Sequence, residues 1–241
     1  MSLLIPGWSF LQSPWKIIGK TMLAAWVLSG FIFVTLLGYF IADAAFGFMI
    51  SLHVSSILYL LHRTFPVQVL GQRILLSLGV LLIVSQLLYG ASLHWIQNHW
   101  LLPIKANGKV FVVHRSNSNR PWYRGHLAAC RLEGTADHGV RIREGFILDR
   151  ILAEPGDRVE FQAGKYLVNG VEAPSLPFMP TQGSVILNEE TWMVWPALRT
   201  VSTYNADDAT ISGAVLPLSM VSREQFVGTP FRRWFWRKQT L

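Results

Sequence analysis

Charged positions are almost missing from the first hundred residues. Residues 21–61 carry one charged side chain, Asp43, and another long apolar run follows Arg73. A helix rises about 1.5 Å per residue, so about 20 residues cross the hydrocarbon core of a bilayer. The first stretch is twice that length. It predicts two spans hinged at Asp43, residues 21–42 and 44–61, with a third over 74–96. Three such stretches in succession do not describe a cleaved signal peptide.

After residue 105 the pattern shortens to strand period. Apolar alternation runs through residues 109–115, 126–132, 145–152, 158–162, 166–169, 185–188 and 191–195. Turn signals separate these runs: Asn107-Gly108, Pro155-Gly156-Asp157, Asn169-Gly170 and Gln182-Gly183. Residues 166–172 read as a hairpin closed by Asn169-Gly170. No long helix-period segment stands out. The expected architecture is a three-span helical region over residues 1–97, an all-β folded sheet or partly closed barrel over 98–230, and a tail at 231–241.

Composition sharpens this division. The chain of 241 residues is 51% apolar and only 15% charged, where a soluble domain carries about 25% charged residues. Before residue 105 the charges are Lys16, Lys20, Asp43, Arg63 and Arg73. The bases precede the first span and lie between the second and third, while Asp43 stands alone between the first and second. Positive-inside bias therefore puts the N-terminus in the cytoplasm and the β domain outside it. Asp43 reads as a loop-tip charge and His53 as a helix-packing histidine. Cys130, the single cysteine, has no disulfide partner within the chain. The net charge of +7 does not point to nucleic acid, because four bases (Arg232, Arg233, Arg237 and Lys238) lie in the tail. Interleaved with Phe231, Trp234, Phe235 and Trp236, they suit a lipid interface, making membrane lipids an expected partner. No His-x₃-His or Cys-x₂-Cys spacing calls for a metal, and no cofactor is expected.

One ordered set of residues carries more information. Arg150, Ala153-Glu154-Pro155-Gly156-Asp157 and Tyr166-Leu167-Val168-Asn169-Gly170 follow one another. Upstream stand Trp100, Pro103 and Gly108, then Arg124-Gly125-His126 ahead of an apolar strand. In order and spacing this set resembles the type I signal peptidases (the S26 family), serine endopeptidases that remove secretory leader peptides. The resemblance covers about residues 95–230. It implies a membrane-anchored, folded β-sheet domain with Pro103, Gly108, Pro155, Gly156 and Asp157 as motif scaffold.

It does not carry the chemistry. Enzymes of that family attack with a serine and take its proton on a neutral lysine. In this register the nucleophile position is Trp100, the base position Asp149 and the oxyanion position Asn98. An indole cannot attack a carbonyl, and a carboxylate replaces the amine. The last family motif would place Ala206, Asp208 and Thr210 before Gly213, so Asp208 is expected to pair with Arg150. The resemblance thus implies a non-catalytic relative, with Trp100 filling or covering the former active site. Its expected partners are a peptide client or the subunits of a secretion or pilus complex in the bacterial cytoplasmic membrane, with the β domain on the periplasmic side. The alternative is an active S26-type peptidase with a non-standard set drawn from Ser92, Ser116, Ser118, Lys105 and Lys109, or from His114, His126 and His138 with nearby acids.

Overall fold

The computed structural model describes residues 5–64, 69–106, 108–115, 121–137, 140–197, 202–203 and 207–239. They divide into two units. The first holds the chain up to Pro103 together with Trp234–Trp236. The second holds Ile104–Arg233 and the segment from Arg237 onward.

In the first unit a short helix, α1 (Trp8–Leu11), precedes three helical runs. The first two are α2 (Lys16–Thr35) and α3 (Phe40–Thr64). The third is composite: α4 (Leu70–Ile83), a π-helical turn (Val84–Gly90) and α5 (Ala91–His99). All three are long and apolar enough to cross a membrane. Leu28, Phe31, Leu75, Leu82 and Leu87 are exposed. Helices that are apolar on the outside as well as the inside suit a lipid surround.

Two boundaries differ from expectation. The first run ends at Thr35, and Asp43 lies in the first turn of α3 rather than at a loop tip. The break comes earlier because Gly38 takes φ of +85°, a left-handed conformation that ends helices and that a Cβ disfavours. In a first turn the Asp43 carboxylate meets the favourable end of the helix dipole. The third run begins at Leu70, which draws Arg73 into its first turn.

The helical interior is apolar around Met49, Val54, Ile57 and Val84, and it encloses a polar knot. His53 is 1% exposed. Its Nδ1 lies 2.8 Å from the Tyr89 hydroxyl, and Trp26 Nε1 donates to the same oxygen at 2.8 Å. One residue from each helical run meets there, and Tyr89 is supplied by the π turn. Such a turn carries an extra residue and so re-aims the side chains around it.

The rest of the chain is mainly short strands. In order these are β1 (Leu101–Ala106), β2 (Lys109–Arg115), β3 (Leu127–Leu132), β4 (Thr135–Asp137), β5 (Val140–Ile142) and β6 (Gly145–Ala153). Then come β7 (Arg158–Gln162), β8 (Lys165–Val168), β9 (Val171–Pro174), β10 (Gly183–Ile186), β11 (Thr191–Val194) and β12 (Ser202–Thr203). A helix, α6 (Asp208–Ser219), is followed by β13 (Met220–Ser222), β14 (Phe226–Pro230), β15 (Arg233–Trp234) and β16 (Arg237–Lys238). A curled seven-stranded sheet runs β1-β2-β14-β3-β6-β11-β13, and a four-stranded sheet runs β10-β7-β8-β9. Strands β8 and β9 form the expected hairpin. Val168 faces Val171 across a two-residue turn. Asn169 and Gly170 both have positive φ, 50° and 82°, the pairing a tight I′ turn demands.

Helix α6 departs from the all-β expectation. Asp207 caps it, accepting from Thr210 N at 2.8 Å and from Thr210 Oγ1 at 2.6 Å. Ile211, Val215 and Ser219 recur every fourth residue and are buried. Ile211 and Val215 join Val159, Val168, Met193 and Trp195 in the larger core. With only two of those three positions strongly apolar, the helical period is faint in the sequence.

Candidate functional site

The motif residues hold one another. Between β6 and β7, Asp157 Oδ2 accepts from Glu154 N at 2.8 Å, and its Oδ1 accepts from Asn169 Nδ2 at 2.7 Å. Asn169 Oδ1 in turn accepts from Arg158 N at 2.9 Å. Gly156 N and Leu187 N bond across the same turn, to Leu187 O and Asp157 O. Pro155 occupies the tight position of this turn. The Pro155-Gly156-Asp157 and Asn169-Gly170 turns, separate in sequence, are therefore one hydrogen-bonded corner. Pro103 lies within β1, and Gly108 stands at the turn into β2.

The Arg124-Gly125-His126 turn docks on β6. Glu154 Oε1 accepts from Arg124 N at 2.6 Å. Gly125 N donates to Ile151 O at 2.7 Å, and Ile151 N donates to His126 O at 2.9 Å. The polar backbone of Ile151 thus faces β3. Along a strand these groups alternate sides, so those of Phe146, Leu148 and Arg150 face away from β3. On that side β11 reaches only Ile151 and Ala153. Arg150 N–H is capped at 2.8 Å by Asp149 Oδ1. Among the described residues, no strand pairs with the outer edge of β6 at Phe146 and Leu148.

A cavity of about 340 Å³ opens along this edge. Gly145, Phe146 and Leu148 line one side, with Lys105, Ala106 and Ala197 also on its wall. Phe146 is exposed and Leu148 is buried. An unpaired edge beside a groove of this size can accept an extended chain by strand addition, with alternate side chains entering the groove.

Asp149 lies on the face of β6 opposite to Phe146 and Leu148. Its neighbours on the same face, Ile147 and Ile151, pack with Ala128, Cys130, Trp122 and Phe226. Trp122 stacks on Phe226 at 4.4 Å. Burial raises the Asp149 carboxyl above its ordinary range, partly offset by the Arg150 N–H bond and the Arg150 charge. Burial, with the nearby Asp149 charge, also pushes the Cys130 thiol up, leaving it unreactive. No cue in the sequence announced this aromatic cluster beside Asp149.

Trp100 lies at the C-terminal end of α5 and is 58% exposed. Its ring is tilted against Trp95 at 6.4 Å. Asn98 is engaged within the helix, its Nδ2 lying 2.7 Å from His94 Nε2. The expected Arg150–Asp208 ion pair is absent from the ion pairs among the described residues, which are Arg158–Glu160 and Lys165–Glu172. Arg150 Nη1 donates instead to Gly125 O at 3.0 Å. Asp208 is an exposed residue of the first turn of α6, where the helix dipole accommodates its charge. Ser116, Ser118, His138 and Ala206 lie outside the described residues. Ser92 Oγ donates to Leu88 O at 2.6 Å, a helix-internal bond. Lys105 and Lys109 are exposed. Among the described residues no lysine is hydrogen-bonded to a serine; Lys165 reaches Glu172.

Compared with known proteins, the chain matches no family model and no curated sequence.

Proposed function

We propose that this chain is an integral membrane protein whose β domain resembles that of a type I signal peptidase and binds extended peptides without cutting them. On this reading it serves as an assembly or accessory subunit of a secretion or pilus complex in a bacterial cytoplasmic membrane, with the β domain on the periplasmic side. The observation that carries the reading is the outer edge of β6 at Phe146 and Leu148, beside a groove and paired with no strand among the described residues.

Three further features support it. Two of the motif turns, Pro155-Gly156-Asp157 and Asn169-Gly170, form one hydrogen-bonded corner rather than a catalytic cluster. Trp100 and Asp149 lack the chemistry of a nucleophile and an amine base. The hydroxyl of Ser92 is already committed to its own helix.

The test combines binding with cleavage. Full-length protein in mild detergent is incubated with a leader-type peptide, and products are followed by mass spectrometry. The peptide is expected to bind and remain intact. Trp100→Ser alone leaves it intact, because no base is supplied. Trp100→Ser with Asp149→Lys gives at most weak cleavage. Cleavage by the unaltered chain, abolished by changing one serine to alanine, overturns the proposal in favour of an active peptidase.

A further inference from the structure

The last turn of any α-helix leaves carbonyls that no helical N–H reaches. In α2 one of them, Val34 O, is taken by a side chain far along the sequence: Trp234 Nε1 donates to it at 2.9 Å. Beside it Phe235 packs edge-on against Phe31 at 6.2 Å. Trp234–Trp236 accordingly belong to the helical unit. They form the tip of a hairpin, β15 and β16 joined by the two-residue turn Phe235-Trp236.

That turn breaks a local rule. Tight hairpin turns need positive φ and favour Gly, Asn or Asp. Here Phe235 takes φ of +52°, a conformation that bulky side chains adopt rarely and at a cost. The two residues set at this strained tip are large and apolar, and both are exposed: Phe235 by 46% and Trp236 by 62%. Arg232, Arg233 and Lys238 stand within a few residues and are also exposed. No acid follows Glu224 in the chain. The tip sits against the last turn of a helix long and apolar enough to cross a membrane, and the end of a spanning helix is where a bilayer would pass from acyl chains to headgroups.

We infer that the hairpin over residues 233–238 is a docking finger for anionic phospholipid. Phe235 and Trp236 enter the headgroup boundary, and Arg232, Arg233 and Lys238 hold the phosphates. Indole rings favour that depth, and each base near an anionic surface is worth about a fivefold preference. The inference stands apart from the peptide reading and needs no open strand edge.

The test uses the full chain in nanodiscs of phosphatidylcholine with or without phosphatidylglycerol. After extraction, native mass spectrometry counts the lipids retained. The wild type is expected to keep phosphatidylglycerol over phosphatidylcholine. The triple variant Arg232→Gln, Arg233→Gln, Lys238→Gln should lose that preference by about fivefold per base. Equal preference in a triple variant that melts like the wild type, or no preference in the wild type, overturns the inference. A second measurement does not depend on that variant. The emission difference between wild type and Trp236→Phe, in nanodiscs of phosphatidylglycerol brominated on its acyl chains, should be that of a quenched indole. An unquenched, water-like difference spectrum contradicts it.

Discussion

Two aspartates show how the same functional group can act in opposite directions. Asp207 caps α6, and its hydrogen bonds from the Thr210 hydroxyl and then the Thr210 N–H hold its carboxyl below the ordinary range. A depressed carboxyl stabilises the fold at pH values above its unfolded pKa, and that contribution is lost as the pH falls through the folded value. Asp207→Ala should therefore melt below wild type at neutral pH, with the two curves converging in strong acid, while Asp207→Asn keeps most of the cap. Asp149 is the reverse case, because burial raises it. The folded state then holds its proton longer, and stability is lost as the pH rises from the ordinary carboxylate range through the raised value. Asn at this position can still accept from Arg150 N–H. Asp149→Asn should melt above wild type at neutral pH and match it in acid; a lower neutral melting temperature would contradict the buried placement. Neither behaviour was visible in the sequence. It offered Asp208, a neighbour of the true cap, as the structural acid, because a family register cannot say which of two adjacent aspartates begins a helix.

Elements with strong periodicity or a demanding turn were legible. The apolar runs, the alternation over 145–152 that became β6 and the Asn169-Gly170 hairpin all follow from local rules. The elements that depend on distant partners were not. Helix α6 has a weak period and is held by its cap and by burial of Ile211 and Val215. The break after Thr35 turned on Gly38, whose signal was masked by the more conspicuous charge of Asp43. The knot of Trp26, His53 and Tyr89 needs three helical runs to meet, and His53 alone did not name its partners. Tyr89→Phe removes the shared oxygen from both. It should cost the helical unit about 1 kcal/mol in micellar unfolding, the scale of hydrogen bonds between membrane helices. His53→Phe should then cost less in the Tyr89→Phe background than alone, since the pair acts through one hydroxyl. Additive losses would argue against a shared knot.

Taken whole, the chain joins an apolar helical unit to a curled sheet in which motif residues brace turns and, among the described residues, one stretch of strand edge has no pairing strand. That Trp100 and Asp149 cannot supply a nucleophile and an amine base is legible from their side chains alone. That a stretch of edge has no pairing strand among the described residues is not, because it depends on how far β11 runs along β6. The most direct measurement is residue-resolved hydrogen exchange on the intact protein, with and without a saturating leader-type peptide. Strand addition predicts that the amides of Phe146 and Leu148 slow by about tenfold or more, while those of Ile147 and Asp149, already turned toward β3, change little and the peptide stays whole. Unchanged exchange at Phe146 and Leu148 with the peptide bound, or a peptide cut in two, would contradict the account.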